Sequence, residues 1–178
     1  EYPDHVLVSE VPNFNKVGKE AFQAFINENG TPSEVNGFGF MDLDKIQLAW
    51  KNDALDLANA LIEKYGNGSK SRTYEPSVLD TTFQNAMQES WWNRPRKFAL
   101  TTGLGYALGQ GLVHHLGFEW LVYKDRQGKD IAVKHAASGI IAFPISAIRK
   151  RLKTKEYTFA STYFKTLKEA KQINELAP

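Results

Sequence analysis

Gly103-Leu104-Gly105-Tyr106-Ala107-Leu108-Gly109-Gln110-Gly111-Leu112-Val113-His114-His115-Leu116-Gly117-Phe118-Glu119-Trp120-Leu121-Val122 is the stretch on which the fold turns. Up to Leu116 it is apolar on nearly every side and has no β-like alternation, which predicts a buried helix. Pro95 fits the first turn of that helix and Gly117 its end. After Gly117 the pattern alternates, with Phe118, Trp120 and Val122 pointing one way, as in a half-buried strand. A helix that hands over to strands without a further helix between them predicts an α+β fold rather than a doubly wound one.

Four glycines, Gly103, Gly105, Gly109 and Gly111, should each weaken this helix by about 1 kcal/mol relative to Ala. Close backbone packing in the core is the expected compensation. A phosphate-binding reading of the same glycines is disfavoured: they lie inside a helix, and Gln110 stands where a phosphate loop needs Lys followed by Ser or Thr. The uncharged run Phe98 to Phe118 also raises the question of a membrane span. It carries five glycines, Gln110, His114 and His115, and the mean hydropathy of the chain is −0.42. A buried helix without a membrane span is the expectation.

On the N-terminal side the signals are helical. Val17, Ala21 and Phe25 recur at four-residue spacing within Lys16–Asn29. Leu43, Ile46, Trp50, Ala54, Leu57, Leu61 and Tyr65 form a stripe over about 43–65, with Asp42 placed to cap its start. A third helix is predicted from Ser77, capped by that residue with Asp80 three positions on, and ending near Trp91-Trp92. On the C-terminal side, Lys124 to Gly128 reads as a hairpin turn, Ile131 and Val133 as a second strand, and Gly139 to Phe143 as a third. Ser146 then caps a helix carrying Ile148 and Leu152, and a last amphipathic helix covers Phe159 to Leu176. The fold class is therefore α+β: a helical N-terminal part (1–90) packed on a small antiparallel sheet at about 118–143, with C-terminal helices completing an α+β unit (91–178), all in one compact domain.

The 178 residues, 42% apolar and 24% charged, suffice for a sizeable core. The absence of Cys removes disulfides, thiolate metal sites and Cys nucleophiles. Net charge is +2, but residues through Glu119 carry 10 Lys/Arg against 15 Asp/Glu, and the remainder 12 against 5. The chain begins Glu1-Tyr2-Pro3 without an initiator Met. Cytoplasmic localisation is expected, with the periplasm the alternative, because a removed leader would not be visible.

Chemistry-bearing motifs are few. His114 and His115 diverge by about 100° on a helix, so they are poorly placed to share a metal. No nucleophile elbow or carboxylate pair stands out, and neither a metal nor a cofactor is expected. An enzyme reading, as a small hydrolase, would have to rest on His114, His115 and Glu119 at the helix-to-strand junction. A nucleic-acid reading would use Arg149, Lys150 and Arg151, whose charges could track phosphates. The more specific surface candidate is Trp91-Trp92-Asn93-Arg94-Pro95-Arg96. Two adjacent Trp residues cannot both face the core from one helix, and Trp and Arg are the residue types enriched at binding hot spots. Trp91, Trp92, Arg94 and Arg96 are therefore the expected contact residues for a protein partner.

Between about Trp91 and Leu152 the chain resembles the bacterial family called domain of unknown function 3806. The blocks that carry the resemblance are Gly103-Leu104-Gly105-Tyr106-Ala107-Leu108-Gly109, Leu116-Gly117-Phe118-Glu119-Trp120, Gly128-Lys129-Asp130-Ile131-Ala132-Val133, and Phe143-Pro144-Ile145-Ser146-Ala147-Ile148-Arg149-Lys150-Arg151-Leu152. The resemblance implies a helix, short antiparallel strands and a helix, and brings no activity and no catalytic residues. The functional expectation is a non-enzymatic protein-binding domain, in its narrower form an immunity or antitoxin-type protein that neutralises a toxin or effector by covering it.

Overall fold

The computed structural model describes residues 39–69, 73–125 and 128–175; the helix expected over Lys16–Asn29 lies outside them. In chain order the described elements are β1 (Gly39–Met41), α1 (Lys45–Tyr65), α2 (Pro76–Gln88), α3 (Lys97–Leu116), β2 (Glu119–Asp125), β3 (Gly128–Lys134), β4 (Ile141–Ala142), α4 (Pro144–Thr154) and α5 (Ala160–Glu175). The fold is α+β, with the strands in one antiparallel sheet of order β1-β2-β3-β4.

Helix α3 is the centre of the molecule. Leu100, Leu104, Ala107, Leu108 and Leu112 are fully buried, and α1, α2, α4, α5 and the sheet all pack around it. Its glycines are points of close approach. An added Cβ at Gly105 would lie 2.8 Å from Cα of Ile145 on α4, and one at Gly111 would lie 2.7 Å from the Tyr74 carbonyl oxygen. The compensation expected for glycine inside a helix is thus present as backbone-to-backbone contact. Gly117 ends α3 in the left-handed region, at φ 71°. Its N–H bonds the Val113 carbonyl, and that of Phe118 bonds the Leu112 carbonyl. Chain reversal and satisfaction of the last carbonyls are achieved together.

The β2–β3 hairpin pairs from Glu119↔Lys134 to Asp125↔Gly128, and the Gly128 N–H donates to Oδ1 of Asp125. Phe118, Val133 and Ala142 join the main core, while Leu121, Ala132, Ile141 and Phe143 build a smaller cluster with Phe40 and Tyr123. This is the two-residue period of a sheet with apolar groups on both faces.

Several boundaries differ from the sequence-based reading. Helix α1 starts at Lys45 with Asp44, not Asp42, as its cap. Oδ1 of Asp44 accepts from the Gln47 N–H, and Oε1 of Gln47 accepts from the Asp44 N–H, a reciprocal box that Asp42 lacks. Its apolar stripe is buried only from Ala54 onward; Ile46 and Trp50 are exposed. Helix α2 starts with Pro76 at its first position and no side-chain cap, so Ser77 does not cap it. Asp80 caps a different helix altogether. Its buried carboxylate accepts from the N–H groups of Ala160 (2.6 Å) and Ser161 (3.0 Å) and from the Ser161 hydroxyl (2.7 Å), tying α2 to the start of α5. At α4, Phe143 occupies the cap position and Pro144 the first turn, leaving Ser146 inside the helix.

Candidate functional site

Helix α2 ends at Gln88 rather than near Trp91-Trp92, and the two indoles stand on the turn that follows it. Glu89 leaves the helix in an extended conformation. The Ser90 carbonyl then receives the N–H groups of both Asn93 (3.0 Å) and Arg94 (2.9 Å). The Arg94 guanidinium reaches back to the Glu89 carbonyl at 3.0 Å, satisfying an acceptor at the helix end. From the opposite side the Tyr65 hydroxyl, at the end of α1, donates to the Asn93 carbonyl at 3.3 Å. The turn is pinned at both flanks before Pro95 leads into α3.

This scaffold holds both Trp side chains outward. Trp91 is 70% exposed and Trp92 73%, and their rings contact each other with centroids 3.9 Å apart and planes tilted by 39°. Adjacent positions on one helix would bury one ring and expose the other; release from the helix exposes both. Arg94 and Arg96 are exposed on the same turn, as is Lys97 at the start of α3. Phe98, which the sequence reading passed over, is 78% exposed. Its position one residue after the Arg96-Lys97 pair, on the polar flank of the helix start, was the available signal. Within the eight residues from Trp91 to Phe98 the chain therefore presents three large aromatic side chains and three cations. Large aromatic surface with adjacent guanidinium groups is the chemistry of an interface anchor.

The other candidate residues are dispersed. Nε2 of His115 lies 2.8 Å from the Thr73 carbonyl and 3.5 Å from a Glu75 carboxylate oxygen, and its ring meets that of His114 edge-on. His115 therefore faces the loop before α2. Glu119 is exposed at the start of β2. Among the described residues no group of three or more His, Asp or Glu side chains is arranged to hold a metal ion. On α4, the charge of Arg149 acts on Asp130, whereas Arg151 bonds Glu156 at 2.6 Å and lies over the Phe159 ring. Partial burial raises the Asp130 carboxyl above its ordinary range, against the pull of the Ile131 N–H, Arg149 and Ser146. Arg149 and Arg151 thus point to different neighbours, as residues two apart on a helix must. No helix among the described residues is long and apolar enough to cross a membrane.

Fold and surface together define a small α+β domain with a pinned, outward-facing aromatic turn. Residues 80–163 match the family described as Domain of unknown function (DUF3806), so the similarity runs from Asp80 in α2 to Tyr163 in α5 and includes the Trp turn. No curated protein and no solved structure matches the chain.

Proposed function

We propose that the chain is a non-enzymatic protein-binding domain that engages its partner through Trp91 and Trp92, with Arg94 and Arg96 at the edge of the contact. The observation that carries this reading is the exposure of two indoles in mutual contact on a turn anchored by four hydrogen bonds. A backbone turn fixed before binding loses little conformational freedom when it is covered, which favours affinity. The cations beside them suit a partner whose apolar pocket has an acidic rim. In its narrower form the reading is an immunity or antitoxin-type protein, occluding a toxin or effector by direct contact.

The test is co-expression with the product of the adjacent gene and purification through this chain, followed by affinity measurement for Trp91→Ala/Trp92→Ala/Arg96→Ala. Arg96 is chosen over Arg94 because Arg94 also serves the end of α2. Truncating hot-spot residues costs about 2 kcal/mol or more, so affinity should fall by roughly 30-fold or more. The melting temperature should stay nearly constant, since surface substitutions outside the core stay within about 0.5 kcal/mol. Unchanged affinity in the triple variant removes this face, and catalytic turnover with no complex removes the binding reading.

A further inference from the structure

The apolar stripe of helix α1 changes character along its length. From Ala54 to Tyr65 it is buried, and the helix packs there against α2 and α3. Toward the start of the helix it lies open: Ile46 is 63% exposed and Trp50 62%. Around the helix axis Ile46 and Trp50 fall within about 40° of each other and of the partly buried Leu57. They therefore continue one stripe rather than scatter over the helix. Met41, just before the helix, is exposed as well. Single exposed apolar residues are ordinary, whereas a contiguous run of them marks a surface that something covers.

The chain ahead of α1 supplies the match. Residues 1–38 lie outside the described residues. Within Lys16–Asn29 the sequence places Val17, Ala21 and Phe25 at four-residue spacing, with Phe22 and Ile26 beside them, a stripe that needs a partner of its own. We infer that residues 16–29 cover the open face of α1 in the same chain, laying Phe22 and Phe25 against Ile46 and Trp50. The connection is long enough. From Gly39 to Lys45 the chain spans at most about 20 Å, and Trp50 lies about 8 Å further along the helix, whereas the ten steps from Asn29 to Gly39 reach up to about 34 Å. A tether of this length holds the segment at millimolar effective concentration beside the face, well ahead of a second copy at ordinary protein concentrations. The face is at the opposite end of α1 from Tyr65, which bonds the Trp turn, so it stands apart from the proposed partner site.

The chain has no Cys, so a single introduced thiol reports its own site. The experiment measures maleimide labelling of the full chain carrying Ile46→Cys, with Lys129→Cys on the exposed hairpin as the open reference, each rate normalised to the same thiol in concentrated urea. Ile46→Cys should react at least tenfold more slowly than Lys129→Cys, and independently of chain concentration. Adding Phe22→Asp/Phe25→Asp should restore it to within about twofold of the reference. Reciprocally, Phe25→Cys should be protected at least tenfold and should lose that protection with Trp50→Asp. Trp50 is exposed, so this variant leaves the core intact and keeps the test decisive if Phe22→Asp/Phe25→Asp does not fold. Labelling of Ile46→Cys at the reference rate overturns the inference. Protection that neither Phe22→Asp/Phe25→Asp nor Trp50→Asp relieves also overturns it, and protection that fades on dilution assigns the face to a second copy instead.

Discussion

Replacing Gly109 with Ala should destabilise this protein although the position lies in the middle of a helix. In an open helix the change favours folding by about 1 kcal/mol. Here the new Cβ would lie 2.2 Å from Cη2 and 2.5 Å from Cζ2 of Trp120, and 2.9 Å from Cγ of Pro144. The indole cannot simply turn aside. Its Nε1 donates to Oε1 of Gln110 at 3.0 Å, and its ring stacks on Tyr106 with centroids 5.3 Å apart. Overpacking costs about 1–3 kcal/mol, and loss of the indole hydrogen bond adds about 0.5–1.5 kcal/mol. Setting the helix gain against these leaves a net loss of about 2 kcal/mol, or roughly 4–8 °C in melting temperature for a chain of this size. Gly103→Ala is the internal control. Its nearest neighbour, at 2.8 Å, is Cδ1 of Leu61, the far end of a flexible side chain, so that variant should stay within about 1 kcal/mol of wild type. Urea unfolding with a double-mutant cycle to Trp120→Phe separates a clash with the ring from a general helix effect, and should recover about 1 kcal/mol or more. Wild-type or higher stability of Gly109→Ala would refute the close-packing account of these glycines.

Asp80→Ala removes three hydrogen bonds to the start of α5, two from backbone N–H groups and one from a hydroxyl. A lost cap together with charge-assisted bonds to buried donors should lower the unfolding free energy by about 3 kcal/mol in urea, with Asp80→Asn intermediate; a change under about 0.5 kcal/mol would refute the tie. Tyr163 supplies a pH test. Burial raises its phenol above the ordinary value of 10.0, against the opposing influence of Arg151. The folded state therefore keeps a proton that the unfolded state releases above pH 10, and this group's contribution to stability falls there by about 1.4 kcal/mol per pH unit. Chemical denaturation between pH 9 and 11 should show a shallower alkaline decline in Tyr163→Phe, with neutral-pH stability at or above that of the wild type because the variant removes a buried hydroxyl that has no partner among the described residues; an unchanged slope would refute the assignment.

The α+β class and the central helix were legible because both rest on local signals. The switch from helical to alternating pattern at Gly117 needs no knowledge of distant residues, and the left-handed turn found there is the one glycine favours. Where the reading failed, the deciding contact was remote or the competing choices were locally equivalent. Asp42 and Asp44 are both plausible caps two residues apart, and only Gln47 distinguishes them. Asp80 looks like half of a local capping box, yet its partners lie 80 and 81 residues away. Strand β1 is three residues long and exists because Gly39–Met41 pairs with β2, a tertiary event that no local pattern announces.

The same division runs through the surface residues. Trp91 and Trp92 were recognisable from residue type alone, because an indole pair beside two arginines is unusual wherever the chain places it. Their exposure, however, depends on α2 stopping at Gln88, and that stop is built by Ser90, Asn93, Arg94 and the distant Tyr65. A shared helix face would bury one of the two rings; the chain leaves the helix before either. The contact of Arg151 with the Phe159 ring is the opposite case. Arg151 reads as one member of a basic run, and Phe159 as one aromatic on the inner face of a helix, so neither suggests the other. They meet because α5 is held against α2 by Asp80 while Lys155 turns the chain back at the end of α4. A contact assembled by three elements and a left-handed turn has no signature in sequence spacing.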